Sequence, residues 1–150
     1  LICDSMEQKD AISFYEKLEE EGSIHIDYYP SLCQKRGCVA TCSTAYVVGP
    51  LGELYKCWND MGDEKMIVGN IANEELIRPD LYNQYMVEGQ WTSDDECKKC
   101  FFLPICSGGC AWQRIRNKFH GGLYNFCSIY KEGGIDQFLK VYYNKKFPLS

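Results

Sequence analysis

The chain has 150 residues, of which 45% are apolar and 14% aromatic, and this is enough to fill a globular core. Its formal charge of -5 excludes a general attraction to nucleic acids or to anionic membranes. The sequence contains no run of about 18 apolar residues, and residues 1–30 lack the basic start and apolar centre of a signal peptide. We therefore expect a cytoplasmic protein that binds neither nucleic acid nor membrane.

The first predicted elements are a helix and a strand. A capping box followed by apolar residues at helical spacing predicts a helix that ends at Gly22. Apolar and polar residues then alternate at 24–28, which predicts a strand that Pro30 interrupts. One helix and one strand cannot bury both faces, so residues 1–32 are predicted to end a larger α/β barrel or to form an appendage. Because the chain starts with Leu1, we expect it to be part of a longer polypeptide.

A β-hairpin is predicted next. Aromatic and β-branched residues at 46–48 and 54–58 flank a turn that contains glycine and proline. Cys42 lies just before the first of these strands, and Cys57 lies near the end of the second. Strand pairing would bring both sulfur atoms to the same end of the hairpin, which predicts half of a metal site.

Further along the chain, the sequence predicts a loop and three helices. Pro79 fits the first position of the first helix, and Gly89 fits its end. The last helix is predicted to bury Phe138, Leu139 and Tyr142. The predicted segments are a loop at 60–73 with a short strand at 66–68, and helices at 79–89, 112–119 and 135–144.

Ten cysteines are the most informative feature of the sequence. Gly108 and Gly109 lie among them, and glycines there would allow the backbone to approach a metal closely. Short spacings also let backbone turns direct several thiolates at one point. Seven of the cysteines, together with one glycine, follow the order Cys42-x9-Gly52-x4-Cys57, then Cys97-x2-Cys100-x5-Cys106-x3-Cys110, then Cys127.

Three explanations of the cysteines compete. A disulfide framework needs an oxidising compartment, and the sequence shows no export signal. Structural zinc could use the four cysteines of residues 97–110, but zinc sites usually pair two Cys-x2-Cys segments and only one is present. Cubane iron–sulfur clusters take four thiolates each, so eight cysteines would serve two clusters. The pattern favours iron and sulfur, with a zinc-binding interaction module and a disulfide framework as alternatives.

The cysteine spacing resembles the SPASM domain, the C-terminal auxiliary-cluster domain of many radical S-adenosylmethionine enzymes that modify peptides and proteins. The stretch Gly69-Asn70-Ile71 is similar to a "GNI" segment often found between the cysteine groups of that family. The resemblance implies an α+β fold, in which a β-hairpin and short helices surround two 4Fe–4S clusters. The implied domains are the end of a barrel at 1–32, the SPASM domain at 33–132 and a C-terminal helix at 133–150.

The resemblance also implies how the thiolates divide between the clusters. Members of the family differ in the ligand upstream of the hairpin, and some leave that iron open for substrate. We expect Cys38 to be this ligand rather than Cys33, because only three residues separate it from Cys42. The first cluster would take Cys38, Cys42, Cys57 and Cys110. The second cluster would take Cys97, Cys100, Cys106 and Cys127.

The chain lacks the Cys-x3-Cys-x2-Cys loop that binds the radical-generating cluster in this family. Cys38 and Cys42 have the first spacing, but position 45 is Ala. We therefore expect the non-catalytic part of an enzyme, with S-adenosylmethionine bound only by an upstream core. The implied role is electron transfer and positioning of a peptide or protein substrate, with a ferredoxin- or flavodoxin-type electron partner. A free-standing iron–sulfur electron carrier is the rival hypothesis.

Two groups of side chains other than the cysteines bear on the substrate. In sulfatase-maturating members of the family, an Asp directly after the cysteine equivalent to Cys57 is a proposed base. Here Trp58 takes that place and Asp60 lies two positions further on, which favours a ribosomally made peptide over a sulfatase. A basic, solvated helix face is also predicted, formed by Arg114, Arg116 and Lys118.

Overall fold

The structure is a computed structural model that describes residues 10–22, 37–73, 76–127 and 130–147. The chain divides into two compact units, of which one is Gln34–Phe126 and the other combines Leu1–Cys33 with Cys127–Ser150. Helices together with an antiparallel sheet confirm the α+β class. Within the described ranges, no helix combines the length and the hydrophobicity needed to cross a bilayer.

The unit Gln34–Phe126 contains a three-stranded antiparallel sheet in the order β1, β2, β3. The predicted hairpin is confirmed, with Val47 paired to Tyr55 across β1 and β2. Gly52 has a φ of 87° in the hairpin loop, and a Cβ there would lie 2.9 Å from the side chain of Ile71, so the loop requires glycine. The strands are β1 (Val47–Val48), β2 (Glu53–Tyr55) and β3 (Gly69–Asn70).

The strand predicted at 66–68 is displaced along the chain. A 3-10 turn at Glu64–Met66 occupies the start of that segment, and the Asp63 side chain accepts a hydrogen bond from the N–H of Lys65 at its beginning. The strand that pairs with β2 therefore lies further along the chain, and β3 begins at Gly69. The structure thus contains a strand in this region, but at Gly69–Asn70 rather than at 66–68.

The core of this unit lies between the sheet and two helical segments. The first is α2 (Pro79–Asn83), which continues as a π turn at Gln84–Glu88 and ends at Gly89, as predicted. The second is α5 (Ala111–Phe119), which confirms the helix predicted at 112–119. The most deeply buried apolar side chains are those of Tyr55, Met66, Val68, Leu81, Tyr85, Ala111 and Ile115.

Two short helices that the sequence did not predict lie between these segments. They are α3 (Asp95–Lys98) and α4 (Leu103–Cys106), and a 3-10 turn at Trp91–Ser93 precedes them. Neither helix contains a buried residue. This part of the chain therefore contributes cysteines but little apolar packing.

The other unit is helical in its described residues. The helix α1 (Asp10–Gly22) ends at the predicted glycine, whereas the strand predicted at 24–28 lies outside the described residues. A π turn at Tyr130–Gly134 leads into α6 (Ile135–Lys146). The predicted burial of Leu139 is wrong, because its side chain is 44% exposed and Val141 is buried instead. The helix buries the face that Val141 shares with Phe138, three positions away, and Leu139 lies off that face.

Candidate metal centre

Two thiols lie close enough to Cys57 to act on its charge. Cys57 follows β2 by two residues, Cys38 precedes the 3-10 turn Val39–Thr41, and Cys110 precedes α5. All three side chains pack against the hydrophobic core of the unit. Burial raises the pKa of the Cys57 thiol to about 12, and the charges of Cys38 and Cys110 add to this rise. The fold thus places three cysteines from distant parts of the sequence against the same core.

Cys42 is held in place by a buried lysine that no sequence pattern indicated. Lys56 is only 2% exposed, and its Nζ donates hydrogen bonds of 2.7 Å to the carbonyl oxygens of both Cys42 and Ala45. The ammonium group also lies 4.5 Å from the centre of the Tyr46 ring. Burial lowers the pKa of Lys56, and the charge of Cys42 opposes this effect. The Lys56 ammonium group therefore lies beside the backbone of this cysteine.

The second group of cysteines lies on the short elements between 94 and 110. Asp94 caps α3, since its carboxylate accepts a hydrogen bond of 3.0 Å from the N–H of Cys97. The N–H of Cys100 donates to the carbonyl of Cys97 at 3.1 Å, which closes a tight turn between the two cysteines. Cys106 is the last residue of α4. Local turns thus hold three cysteines close together along the chain.

A left-handed turn separates Cys106 from Cys110. Ser107, Gly108 and Gly109 have φ angles of 57°, 96° and 72°, a conformation that favours glycine. A Cβ on Gly108 would lie 2.6 Å from the Cβ of Trp91, so the backbone contacts this tryptophan directly. The turn ends the helix α4 and reverses the chain before Cys110.

Arg114 does not belong to the solvated basic face that the sequence predicted. Its side chain is buried, and its Nη2 donates to the Sγ of Cys97 over 3.2 Å and to the carbonyl of Gly108 over 2.7 Å. Its Nη1 forms an ion pair with Asp94. The guanidinium carbon lies 4.3 Å from the centre of the Phe126 ring. The prediction failed because these partners are far away in the sequence or lie on short elements without a periodic signal.

Asp60 is a buried acidic residue, and it also binds Arg116. Its carboxylate is fully buried and accepts hydrogen bonds from Tyr85 Oη at 2.6 Å, Trp112 Nε1 at 2.8 Å and Arg116 Nη2 at 3.3 Å. Burial raises the pKa of Asp60, and these three donors oppose the rise. Trp58 is 75% exposed in the same turn. The carboxylate thus has a structural role, whereas the aromatic ring faces solvent.

The donor chemistry of the described cysteines fits an iron–sulfur cluster. All eight are partly buried, and soft thiolates suit such clusters. A buried donor also fits, because Arg114 Nε has no hydrogen-bond acceptor within the described residues and lies on the side chain that contacts Cys97. However, no three His, Cys, Asp or Glu side chains in the described ranges are grouped closely enough to hold a metal ion. Cys127 begins the second segment of the other unit, and Cys33 lies outside the described residues.

Comparison with known proteins points to one class of enzyme. No protein-family model matches the chain. The chain is similar to two proteins of Clostridium perfringens, each described as a cysteine-type anaerobic sulfatase-maturating enzyme, from strain 13 / Type A and from strain ATCC 13124. Each is 27% identical to this chain in an alignment of 134 residues. The alignment covers 79% of this chain and 35% of the relative. The chain thus spans about a third of the length of the curated relatives it matches, and the similarity supports a relation to radical S-adenosylmethionine maturases.

Proposed function

We propose that this chain is the auxiliary-cluster domain, of SPASM type, of a radical S-adenosylmethionine maturase that modifies a peptide or a protein. The observation that carries the proposal is the position of Cys38, Cys57 and Cys110, whose partly buried side chains all pack against the same hydrophobic core. These cysteines are separated along the chain, and the resemblance to the SPASM domain implies that all three ligate the same cluster. The similarity to sulfatase-maturating enzymes supports the same class of protein.

In this proposal, the chain's own residues hold the clusters. Lys56 fixes the loop of Cys42 and would balance the charge of its thiolate, and the left-handed turn at 107–109 separates Cys110 from Cys106. The clusters, when bound, would accept and pass on single electrons. The proposed ligands of the first cluster are Cys38, Cys42, Cys57 and Cys110. The proposed ligands of the second are Cys97, Cys100, Cys106 and Cys127.

The residues around Cys57 favour a peptide substrate over a sulfatase. The exposed ring of Trp58 stands where a base is proposed in sulfatase-maturating members of the SPASM family. Asp60 is fully buried and its carboxylate is occupied by three donors, so it does not replace that base. We therefore propose that this domain positions a peptide with its surface near Trp58 and passes electrons to a ferredoxin- or flavodoxin-type partner in the cytoplasm. S-adenosylmethionine would bind to an upstream core of the same polypeptide.

Metal analysis tests this proposal directly. After anaerobic purification or reconstitution, we expect a brown protein that absorbs broadly near about 400 nm and binds about eight irons and about eight sulfides. A colourless protein that retains zinc would contradict the proposal and support an interaction module. An in-frame Cys-x3-Cys-x2-Cys loop encoded upstream of Leu1 would separate a maturase from a free-standing electron carrier, because only the maturase needs it.

Single substitutions test the assignment of ligands. Cys127→Ala should lower the iron content by up to half, through loss of iron from the second cluster. Cys38→Ala should lower the iron content through loss of iron from the first cluster. Cys33→Ala and Cys3→Ala are the matched controls and should leave the iron content unchanged. Loss of iron in Cys33→Ala but not in Cys38→Ala would reverse the choice of the upstream ligand while leaving the proposed function intact.

A further inference from the structure

We infer that Arg114 raises the reduction potential of the cluster that Cys97 ligates, by donating a charged hydrogen bond to the sulfur of that cysteine. This inference rests on the proposed function, because it requires a cluster at Cys97. It goes further by assigning a task to a residue that is not itself a ligand.

The geometry around Arg114 holds its donor in place. Nη2 lies 3.2 Å from Cys97 Sγ and also donates to the carbonyl of Gly108, while Nη1 pairs with Asp94. The ring of Phe126 packs against the guanidinium plane at 4.3 Å. The side chain is only 5% exposed, so water does not compete well for these contacts. The donor is therefore preorganised before any cluster binds.

The direction of the effect follows from charge. Reduction adds an electron to the cluster, and part of the added negative charge resides on the ligating sulfur atoms. A cationic N–H donor stabilises this more negative state, so it raises the reduction potential, and low exposure strengthens the interaction. Asp94 offsets part of the positive charge of Arg114 but leaves the hydrogen bond to sulfur in place. The buried Nε, which lacks an acceptor within the described part of the chain, would be a second donor available to the cluster.

A pair of charge-removing variants tests the inference in the purified, reconstituted protein. Arg114→Met removes the donor and roughly keeps the apolar stem. Lys118→Met is the matched control, because Lys118 lies one turn further along α5, lines the same surface cavity as Arg114 and pairs with Glu88. Within the described residues, Lys118 makes no hydrogen bond to a cysteine sulfur. Iron content and the reduction potentials of both clusters are measured for each protein.

We expect Arg114→Met to keep the iron content and to lower the potential of one cluster only. A tenfold change in the electron-transfer equilibrium, which corresponds to about 59 mV for a one-electron couple, is the expected scale. Arg114→Lys should give an intermediate potential, since lysine keeps the charge but cannot reproduce the planar fork. Lys118→Met should leave both potentials unchanged. Potentials in Arg114→Met that equal those of the wild type, with equal iron, would overturn the inference.

The wild-type protein gives an independent readout that does not depend on the stability of a variant. Arginine labelled with 15N in the guanidinium group is incorporated, the clusters are reduced with dithionite, and pulsed EPR is used to detect coupling between 15N and the cluster spin. We expect a coupling in the labelled wild type, and its absence in a protein with full iron content would refute the role of Arg114. A wild-type protein that binds no iron at all would instead refute the proposed function.

Discussion

Asp60 connects three parts of the unit Gln34–Phe126 through its backbone and its side chain. Its backbone N–H donates to the carbonyl of Cys57 at 3.1 Å, while its carboxylate accepts from Tyr85 in the π turn and from Trp112 in α5. Removal of a buried acceptor leaves its donors without partners, and this costs more than the hydrogen bond contributed. The position of the Cys57 loop therefore depends on a residue that is not a ligand.

Replacement of Asp60 should destabilise the protein strongly. We expect Asp60→Ala to lower the free energy of unfolding by about 3 kcal/mol, because the donors of Tyr85, Trp112 and Arg116 lose a buried acceptor. Asp63→Asn is the control, since the carboxylate of Asp63 also contacts Arg116 but is 39% exposed. That change should cost less than about 1 kcal/mol. Urea unfolding of the metal-free proteins measures both values, and equal losses would contradict the structural role of Asp60.

The thiol of Cys57 predicts a dependence of stability on pH. Its pKa is raised from 9.0 to about 12 in the folded protein, so the folded state retains a proton that the unfolded chain releases. This contribution to the stability of the metal-free protein is complete below about pH 9 and is lost as the pH rises towards 12. The stability difference between the wild type and Cys57→Ala, measured by urea unfolding, should therefore shrink between about pH 8 and about pH 11. A constant difference would show that folding does not raise the pKa of this thiol.

At the scale of elements, the turn at 107–109 is the most demanding local structure between the cysteines. Three successive residues have positive φ, and the middle one is in contact with Trp91. Positive φ is readily adopted by the two glycines but costs energy at Ser107, which persists in this conformation only where the surroundings hold it in place. The turn also presents the carbonyl of Gly108 to Arg114, so its shape bears on the proposed cluster site.

Two glycine substitutions separate backbone strain from steric conflict. Gly62 and Gly108 both have positive φ, but a Cβ on Gly62 meets nothing within 4 Å, whereas a Cβ on Gly108 would lie 2.6 Å from Trp91. Gly62→Ala should cost about 1 kcal/mol, and Gly108→Ala should cost roughly 1 to 3 kcal/mol more. Thermal unfolding and iron content are the measurements, with a loss of iron expected only for Gly108→Ala. Similar costs at the two positions would exclude the close contact with Trp91.

The sequence predicted those elements that carry a local signal. The hairpin follows from turn residues between β-branched and aromatic segments, and the helix at 79–89 follows from Pro79 and Gly89 at its ends. The helices α3 and α4 have four residues each, too few to show a helical period, and they were missed. The spacing of the cysteines marked them as candidate ligands. The burial of Lys56 and Arg114 could not be predicted, because long-range contacts decide whether a charged residue is buried.

At the scale of the whole molecule, the unit Gln34–Phe126 has a well-packed part and a part with few apolar contacts. The sheet, α2 and α5 surround the buried apolar residues. The segment 91–110 consists of elements of three or four residues, and α3 and α4 bury none of their side chains. A segment with so few apolar contacts should gain much of its order from metal ligation.

Removal of metal should therefore loosen one part of this unit and spare the other. After chelation under anaerobic conditions, we expect amide hydrogen exchange to increase in residues 91–110 while peptides that cover β2 and α5 stay protected. Cys106→Ala should reproduce the effect of chelation in the same segment, and Ser93→Ala is a control within it that removes no thiol. Uniform loss of protection across the unit would show that the core does not fold independently of the metal.

The reversal between Cys106 and Cys110 also restricts how related sequences can differ in length. The N–H of Cys110 donates to the carbonyl of Phe126 at 3.1 Å, and one inserted residue would withdraw it from this acceptor. The loop at Gly62 has open space around it and can absorb additional residues. Among homologous proteins, insertions and deletions should therefore accumulate near Gly62 and be absent between Cys106 and Cys110.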